Sequence, residues 1–399
     1  DDMSRHGRNA SFLHVVPRAR AVVALLSVLY TASLALHAQG ARTVWTATQL
    51  WSVDGSEGGE PFGSIRDFVV LPDGALWALD YNDQVIRRYS ASGAPLPSVS
   101  RKGSGPGELR NANGLVVRRD GSVWVNDPNN NRLTVFTANG TFAKHVPIPI
   151  MGRSYRWNAF VDKRTGDLID PFVNMSAEKP GTMFWRRVTA TGTFRDTLPV
   201  SECASMSFAA PTTFRAETKG KGNWFSVYPF AYGGGNVPDG DGAAWCAAPS
   251  ASRVSRVRLG GRPDTIARTS LALTPLPVPN AERDSAIRAI EKELAKYATH
   301  DFDAGKIPSS KPPIALLSVD DDGRLWVQHT PQYGEASVTF DVHNATGAHL
   351  GRVRIPFRPS VEGLSIRARG SDLWVAIRDD DDVLSIARFK LAGRGLGGR

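Results

Sequence analysis

Cysteine is nearly missing from this 399-residue sequence: Cys203 and Cys246 are the only two. Two residues cannot staple a chain of this size, so its core must come from apolar packing. In an oxidising compartment the pair could bridge. The sequence does not give the distance between them, and two separate thiols remain the other reading. Histidine is thin too. Past residue 40 there remain His145, His300, His329, His343 and His349, which read as belonging to different structural units with no paired metal-ligand spacing. No nucleophile elbow, zinc-protease helix or phosphate loop occurs, so no motif points to the chemistry those carry. The one long apolar run, 21–36, is short for a membrane span. The formal charge is +9, yet Lys and Arg are scattered among the strand and turn segments. A nucleic-acid surface would need them clustered.

What the chain has in quantity is glycine and proline, 38 and 26 residues, placed between short alternating apolar segments. The stretch 103–147 is the clearest. Its segments 115–118, 122–126, 132–137 and 141–146 read as four strands, separated by Arg119-Asp120-Gly121, Pro128-Asn129-Asn130-Asn131 and Asn139-Gly140. Residues 68–99 repeat the unit, with Gly74, Trp77, Asp80, Ile86 and Tyr89 answering Gly121, Trp124, Asp127, Leu133 and Phe136. Gly242 with Trp245, Gly323 with Trp326, and Gly370 with Trp374 carry the same mark, and Gly166 marks a copy without the Trp. Four-stranded units repeating every forty to fifty residues or so are the pattern of a β-propeller. The turn glycines predict an all-β fold of six blades.

The residues Asn113-Gly114-Leu115-Val116-Val117, Asp120-Gly121, Trp124-Val125-Asn126-Asp127 and Asn131-Arg132-Leu133-Thr134-Val135-Phe136 resemble an NHL repeat. Gly103-Ser104-Gly105-Pro106-Gly107-Glu108-Leu109 is similar to the Gly-rich lead-in between blades of bacterial six-bladed NHL-like propellers, and 55–62 is a looser copy. The resemblance covers residues 44–391 and implies a fold; such propellers serve many unrelated roles. Two enzyme families share this architecture. Gluconolactonase-like propellers hold a channel metal with a Glu, an Asn and Asp residues; Asn113, Asn126 and Asp127 suggest this, but no Glu begins the first inner strand. Peptidyl-amidoglycolate lyase propellers use channel histidines, and the inner strands here have none.

Residues 1–40 read as a secretory signal peptide and leader: Arg18 and Arg20 precede the apolar run, which ends in small residues about Ala38 and Gly40. Residues 41–391 form the propeller and 392–399 a flexible tail. The last unit shows three strands, so Val44–Val53 is expected to supply its fourth and close the ring. Within 274–313, between the fourth and fifth blades, Asn280 is expected to cap an amphipathic helix whose apolar stripe is Ile287, Ile290, Leu294 and Tyr297. Residues 224–230 are expected as the inner strand of the fourth blade and 231–239 as a loop. All the long connections except the passage around Ser201–Asn223 are expected on the helix-bearing face. A ligand site is expected there, near the channel mouth, with Asn129, Arg156, Trp157, His329 and Arg378 as candidates. The run Asp379-Asp380-Asp381-Asp382 offers oxygen ligands for calcium or, in line with Asn129-Asn130, a solvated turn. The reading is an exported monomeric binding or scaffolding module for a protein, peptide or carbohydrate. It has no cofactor, no nucleic-acid partner and no membrane span in the mature chain. The alternative is a lactonase-like hydrolase or lyase working in the channel.

Overall fold

The computed structural model describes residues 43–148, 157, 159–174, 182–189, 191–199, 213–218, 222–231, 235–247, 253–259, 264–359, 366–379 and 381–396. The leader expected at 1–40, Arg156 and Cys203 lie outside them. Every described element belongs to the unit Val44–Arg399.

Alternating apolar segments and Gly turns build antiparallel meanders in chain order. The first sheet is Ile65–Val70, Leu76–Asp80, Val85–Tyr89 and Pro95–Val99. The second is Gly114–Val117, Val123–Asp127, Arg132–Phe136 and Phe142–Pro147. Its first turn shows why glycine recurs: Gly121 has φ 77°, and its N–H donates to the Arg118 carbonyl at 2.9 Å. A side chain there would be strained in the left-handed region. The third sheet is Phe160–Val161, Leu168–Asn174, Thr182–Val188 and Phe194–Pro199. The fourth is Gly235–Pro238, Ala243–Ala247, Arg253–Arg258 and Thr265–Ser270. Two further meanders, 314–355 and 367–392, merge through strand β1 (Val44–Val53) into one nine-stranded sheet that also takes in Arg358–Pro359.

Each sheet buries both faces against its neighbours. Trp77 and Leu79 of the first sheet share a core with Leu115 and Phe136 of the second. Trp124 packs among Val116, Leu168 and Val188, linking the second sheet to the third. Trp245 meets Leu317 and Val327, and Trp326 lies in one core with Phe340, Leu373 and Phe389. The circle closes where Trp374 and Ile386 pack on Ile65, Phe68 and Tyr89 of the first sheet. This closed succession of radial sheets is a β-propeller arrangement. The five repeat tryptophans are buried, as blade-to-blade packing residues must be. The third sheet, without one, buries Trp185 on its third strand against Phe160, centroids 5.7 Å apart.

Strand β1 makes the closure. It pairs antiparallel with Leu384–Ala392 from Thr46↔Ala392 to Val53↔Ile386 and, at Val44 and Trp45, parallel with Arg352 and Val353. Trp45 is buried there, donating from Nε1 to the Arg394 carbonyl at 2.9 Å. A Cβ on Gly351 or Gly393 would lie 2.3 Å from its ring. Of the tail expected at 392–399, Arg394 and Leu396 are thus held at the seam, since the Leu396 carbonyl accepts from Arg324 at 3.0 Å.

The region before the fourth sheet departs from expectation. Residues 224–230 are not its inner strand: Gly222–Val227 pairs with Thr213–Thr218 in a separate hairpin, and the inner strand is Gly235–Pro238, expected as loop. An inner strand has one unpaired edge, so Gly and Pro are tolerated and no apolar alternation announces it. The hairpin is extended by Thr299–His300, and helix α1 (Asn280–Leu294) packs on it. Ile287, Ile290, Leu294 and Tyr297 cover Phe214, Ala216 and Tyr228, so the helix seals this satellite core. Asn280 is the first helical residue and not the cap, because Pro279 takes the extended cap position and the helix starts without a side-chain bond. Cys246 is disulfide-bonded.

Two outcomes test this packing. Deleting Val44–Val53 exposes the edge of Leu384–Ala392 and is expected to abolish cooperative unfolding or cause aggregation, read by calorimetry. A melt like that of the intact chain would contradict the closure. Trp124→Ala should cost about 3–5 kcal/mol in denaturant unfolding; a loss under about 1 kcal/mol would mean the repeat tryptophan is not a packing residue.

Candidate functional site

The inner strands of successive sheets surround one cavity of about 740 Å³. It is lined from Asp67, Val116, Phe160, Asn236, Ser318 and Arg367 on those strands. Inner strands pair on one side only, so unpaired backbone edges face the cavity and supply its hydrogen-bonding groups. One such edge group is taken internally: the Asp67 carboxylate accepts from Leu115 N–H at 2.8 Å and pairs with Arg367 at 3.0 Å. The lining reaches Trp157, which precedes Phe160–Val161, and, beside the tight turns, Arg118, Arg119, Lys163, Asp239, Asp321 and Arg369.

Among the five candidate residues, Trp157 lines the cavity. It is buried, its indole N–H donates to the Asp170 carboxylate, and its Cβ stands where a Cβ on Gly114 would come within 2.6 Å. Arg156 lies outside the described residues. Asn129, His329 and Arg378 are not among the lining residues. Asn129 sits in the turn after Val123–Asp127, its N–H donating to the Arg110 carbonyl at 3.2 Å. Arg378 is committed to its own turn, donating to the Asp382 carbonyl at 2.8 Å. In that turn Asp379 accepts from the N–H groups of Asp381 and Val383, at 3.0 and 2.8 Å.

His329 belongs to a different cluster. His329, His343 and His349, expected in different units, all lie on the 314–355 sheet, because Leu325–His329, Val338–His343 and His349–Ile355 are adjacent strands of one meander. Asp341, on the central one of these strands, is buried. His329 Nε2 lies 2.9 Å and His349 Nε2 3.3 Å from its carboxylate, and Arg352 donates to both oxygens at 2.7 and 2.8 Å. Burial alone would raise this carboxyl, but the hydrogen bonds from His329, His349 and Arg352 outweigh it and hold the pKa far below the carboxylate range. Among the described residues no group of three or more His, Cys, Asp or Glu is placed to hold a metal.

Pairs of this kind recur and explain the Gly-rich lead-ins. Asp80, ending its strand, accepts from Gly63 N–H at 3.1 Å and from Arg87 at 3.3 Å; Arg87 in turn donates to the carbonyls of Gly55 and Glu60. Asp127 accepts from Arg110 N–H at 2.7 Å and from Arg132 at 3.1 Å, and Arg132 reaches the carbonyls of Ser104, Gly105 and Glu108. A buried Asp–Arg pair thus grips the chain entering each of these sheets. Sequence reading aligned Asp80 with Asp127 but missed the arginines, which stand seven and five residues later.

The sequence matches no family model and no curated protein. Solved structures similar to it include virginiamycin B lyase from Staphylococcus aureus, 14% identical with a TM-score of 0.45 over 88% of this chain and 100% of that one. Another is the calcium-binding protein regucalcin from Agrobacterium tumefaciens, 15% identical, TM-score 0.42, over 88% and 97%. A third is a protein of unknown function from Bacteroides thetaiotaomicron, 11% identical, TM-score 0.45, over 88% and 76%.

The Asp341 cluster gives a pH prediction. A carboxyl depressed in the folded state stabilises above its unfolded pKa near 4, and that contribution is lost as pH falls below it. Asp341→Asn should cost about 3–5 kcal/mol at pH 7. The gap to the parent should shrink by about 1.4 kcal/mol for each unit below pH 4, measured by urea unfolding. A gap independent of pH would contradict the assignment.

Proposed function

We propose that the chain is an exported, six-bladed NHL-like propeller that works as a monomeric binding module, taking a peptide or carbohydrate ligand into its central channel. The observation that carries this is the cavity itself. Its wall comes from inner strands Ile65–Val70, Gly114–Val117, Phe160–Val161, Gly235–Pro238, Ile314–Val319 and Arg367–Arg369, one for each proposed blade. Such a wall offers apolar surface and unpaired backbone groups together, which suits a polar chain with apolar parts. The residues 41–391 are the propeller in this reading, with 274–313 inserted between blades four and five. In this reading the turns carrying Asn129, His329 and Arg378 form an outer rim on the helix-bearing face, and Trp157 marks where that rim meets the channel.

Export is supported by the leader-like sequence of 1–40 and by the disulfide at Cys246, which suits an oxidising compartment. Among the described residues no helix is long and apolar enough to cross a membrane. A binding role is favoured over a channel hydrolase because the Asp67 carboxylate, on the channel wall, is already engaged by Arg367 and Leu115 N–H. Among the described lining residues Asp239, Asp320 and Asp321 are likewise held by arginines, which makes each a poor general base.

The test is a thermal-shift screen of short peptides and oligosaccharides on the mature protein. A hit should raise the melting temperature, and filling the channel by Asn236→Trp, at a half-buried lining position, should remove the shift. Hits unaffected by Asn236→Trp would place binding outside the channel. A metal-dependent hydrolase in the same channel requires a stoichiometric divalent ion, which elemental analysis of the purified protein would detect.

A further inference from the structure

The cavity is electrically uneven. Its aspartates are neutralised one by one: Asp67 by Arg367 at 3.0 Å, Asp239 by Arg256 at 2.5 Å, Asp320 by Arg324 at 2.6 Å and Asp321 by Arg369 at 2.7 Å. Three other cations at the tight-turn end are not matched in this way. Arg118, Arg119 and Lys163 line that end, and none of them is in a salt bridge with the described residues.

Arg118 is the unusual member. It is 7% exposed, and its guanidinium lies over the Trp124 ring, 4.8 Å from the centroid, with Nη1 buried and without a hydrogen-bond partner. The two carboxylates that act on it from a distance are turned elsewhere. Asp120 accepts from Ser122 N–H at 3.0 Å and Ser122 Oγ at 2.6 Å, and Asp167 pairs with Arg195 at 2.7 Å. Burial lowers the Arg118 pKa, yet a guanidinium stays charged at neutral pH. A buried, charged group without a partner is strongly destabilising unless something neutralises it. Lys163, exposed in the same lining, spends one donor on the Asp321 carbonyl at 3.1 Å and keeps its charge.

We propose that the tight-turn end of the channel is an oxyanion subsite, in which Arg118 receives a carboxylate or phosphoryl group of the ligand and Arg119 and Lys163 supply further positive charge. A planar guanidinium fixed on an aromatic face is preorganised for two-point contact with such a group, which a mobile surface lysine is not. The proposal rests on the reading of the channel as a ligand site and adds that the ligand carries an anionic end, pointing away from the helix-bearing face. Trp157 and Arg118 then mark the two ends of one site.

The test is calorimetric titration of the folded mature protein at low salt with inorganic phosphate and, separately, with acetate. At least one should bind saturably, with Kd on the order of 1 mM; the phosphate and acetate arms decide between a phosphoryl and a carboxylate end. Arg118→Gln should weaken binding about tenfold or more. Arg119→Glu combined with Lys163→Glu, two exposed positions that leave the core intact, should weaken it as much and decides the matter if Arg118→Gln does not fold. Arg110→Gln, an exposed arginine away from the cavity, should bind as the parent does. No saturable binding of either anion, unchanged binding in the charge-reversed variant, or equal loss in Arg110→Gln would overturn the subsite. Anion binding at Arg118 alongside thermal-shift hits indifferent to Asn236→Trp would keep the subsite and remove the channel role proposed above.

Discussion

The structure depends on one constraint: its sheets carry apolar side chains on both faces. A meander with Trp77 and Leu79 on one side and Phe68, Leu76 and Tyr89 on the other cannot sit at a protein surface. It must lie between two others of its kind, and so must each of those, which leaves a closed circle as the stable answer. Closure then rests on a few residues at the chain's ends. Strand β1 pairs with Leu384–Ala392, Trp45 fills the seam against Gly351 and Gly393, and Trp374 meets the first sheet. The circle is held by the pairing of its first strand with its last, and without that pairing the edge of Leu384–Ala392 is left open.

Within that circle the connections are fixed electrostatically. Asp80 with Arg87 and Asp127 with Arg132 are ion pairs out of water, and such pairs add little net stability compared with an apolar replacement. Their value is positional. The Gly-rich segments entering the first two sheets have few side chains to pack, and the arginines hold their carbonyls while the aspartates hold their N–H groups. The same currency is used at Asp341. It sets the contrast with Arg118, a buried cation that forms no ion pair with the described residues.

Much of the architecture was legible because it depends on local rules. Turn chemistry at Asp120-Gly121 and Asn139-Gly140 and period-two alternation located the second sheet to within about a residue at each strand end. The repeat of Trp after the turn glycine carried the pattern to weaker copies, and the missing fourth strand pointed to Val44–Val53. What was not legible depends on contacts distant in sequence. Gly235–Pro238 has no alternation to read, because its edge faces the cavity and its residues need not be apolar. The hairpin at 213–227 and helix α1 lie more than fifty residues apart and find each other only through the core of Phe214, Tyr228 and Leu294. The histidines of the 314–355 sheet looked dispersed, yet meander pairing brings two of them to one carboxylate. Among the candidate site residues Trp157 lines the cavity, while Arg118 was passed over as an ordinary residue before a turn; its burial against Trp124 has no sequence signature.

The central claim is that the circle is closed by β1 and opens only as a whole. Hydrogen exchange measures this directly, through the amides of Leu384–Ala392 that pair with Val44–Val53. If the account is right, they exchange as slowly as those of the interior strand Val123–Asp127, because both are released only by global unfolding. Exchange at the seam faster by orders of magnitude than at Val123–Asp127, with the rest of the sheets protected, would show an open ring and contradict it.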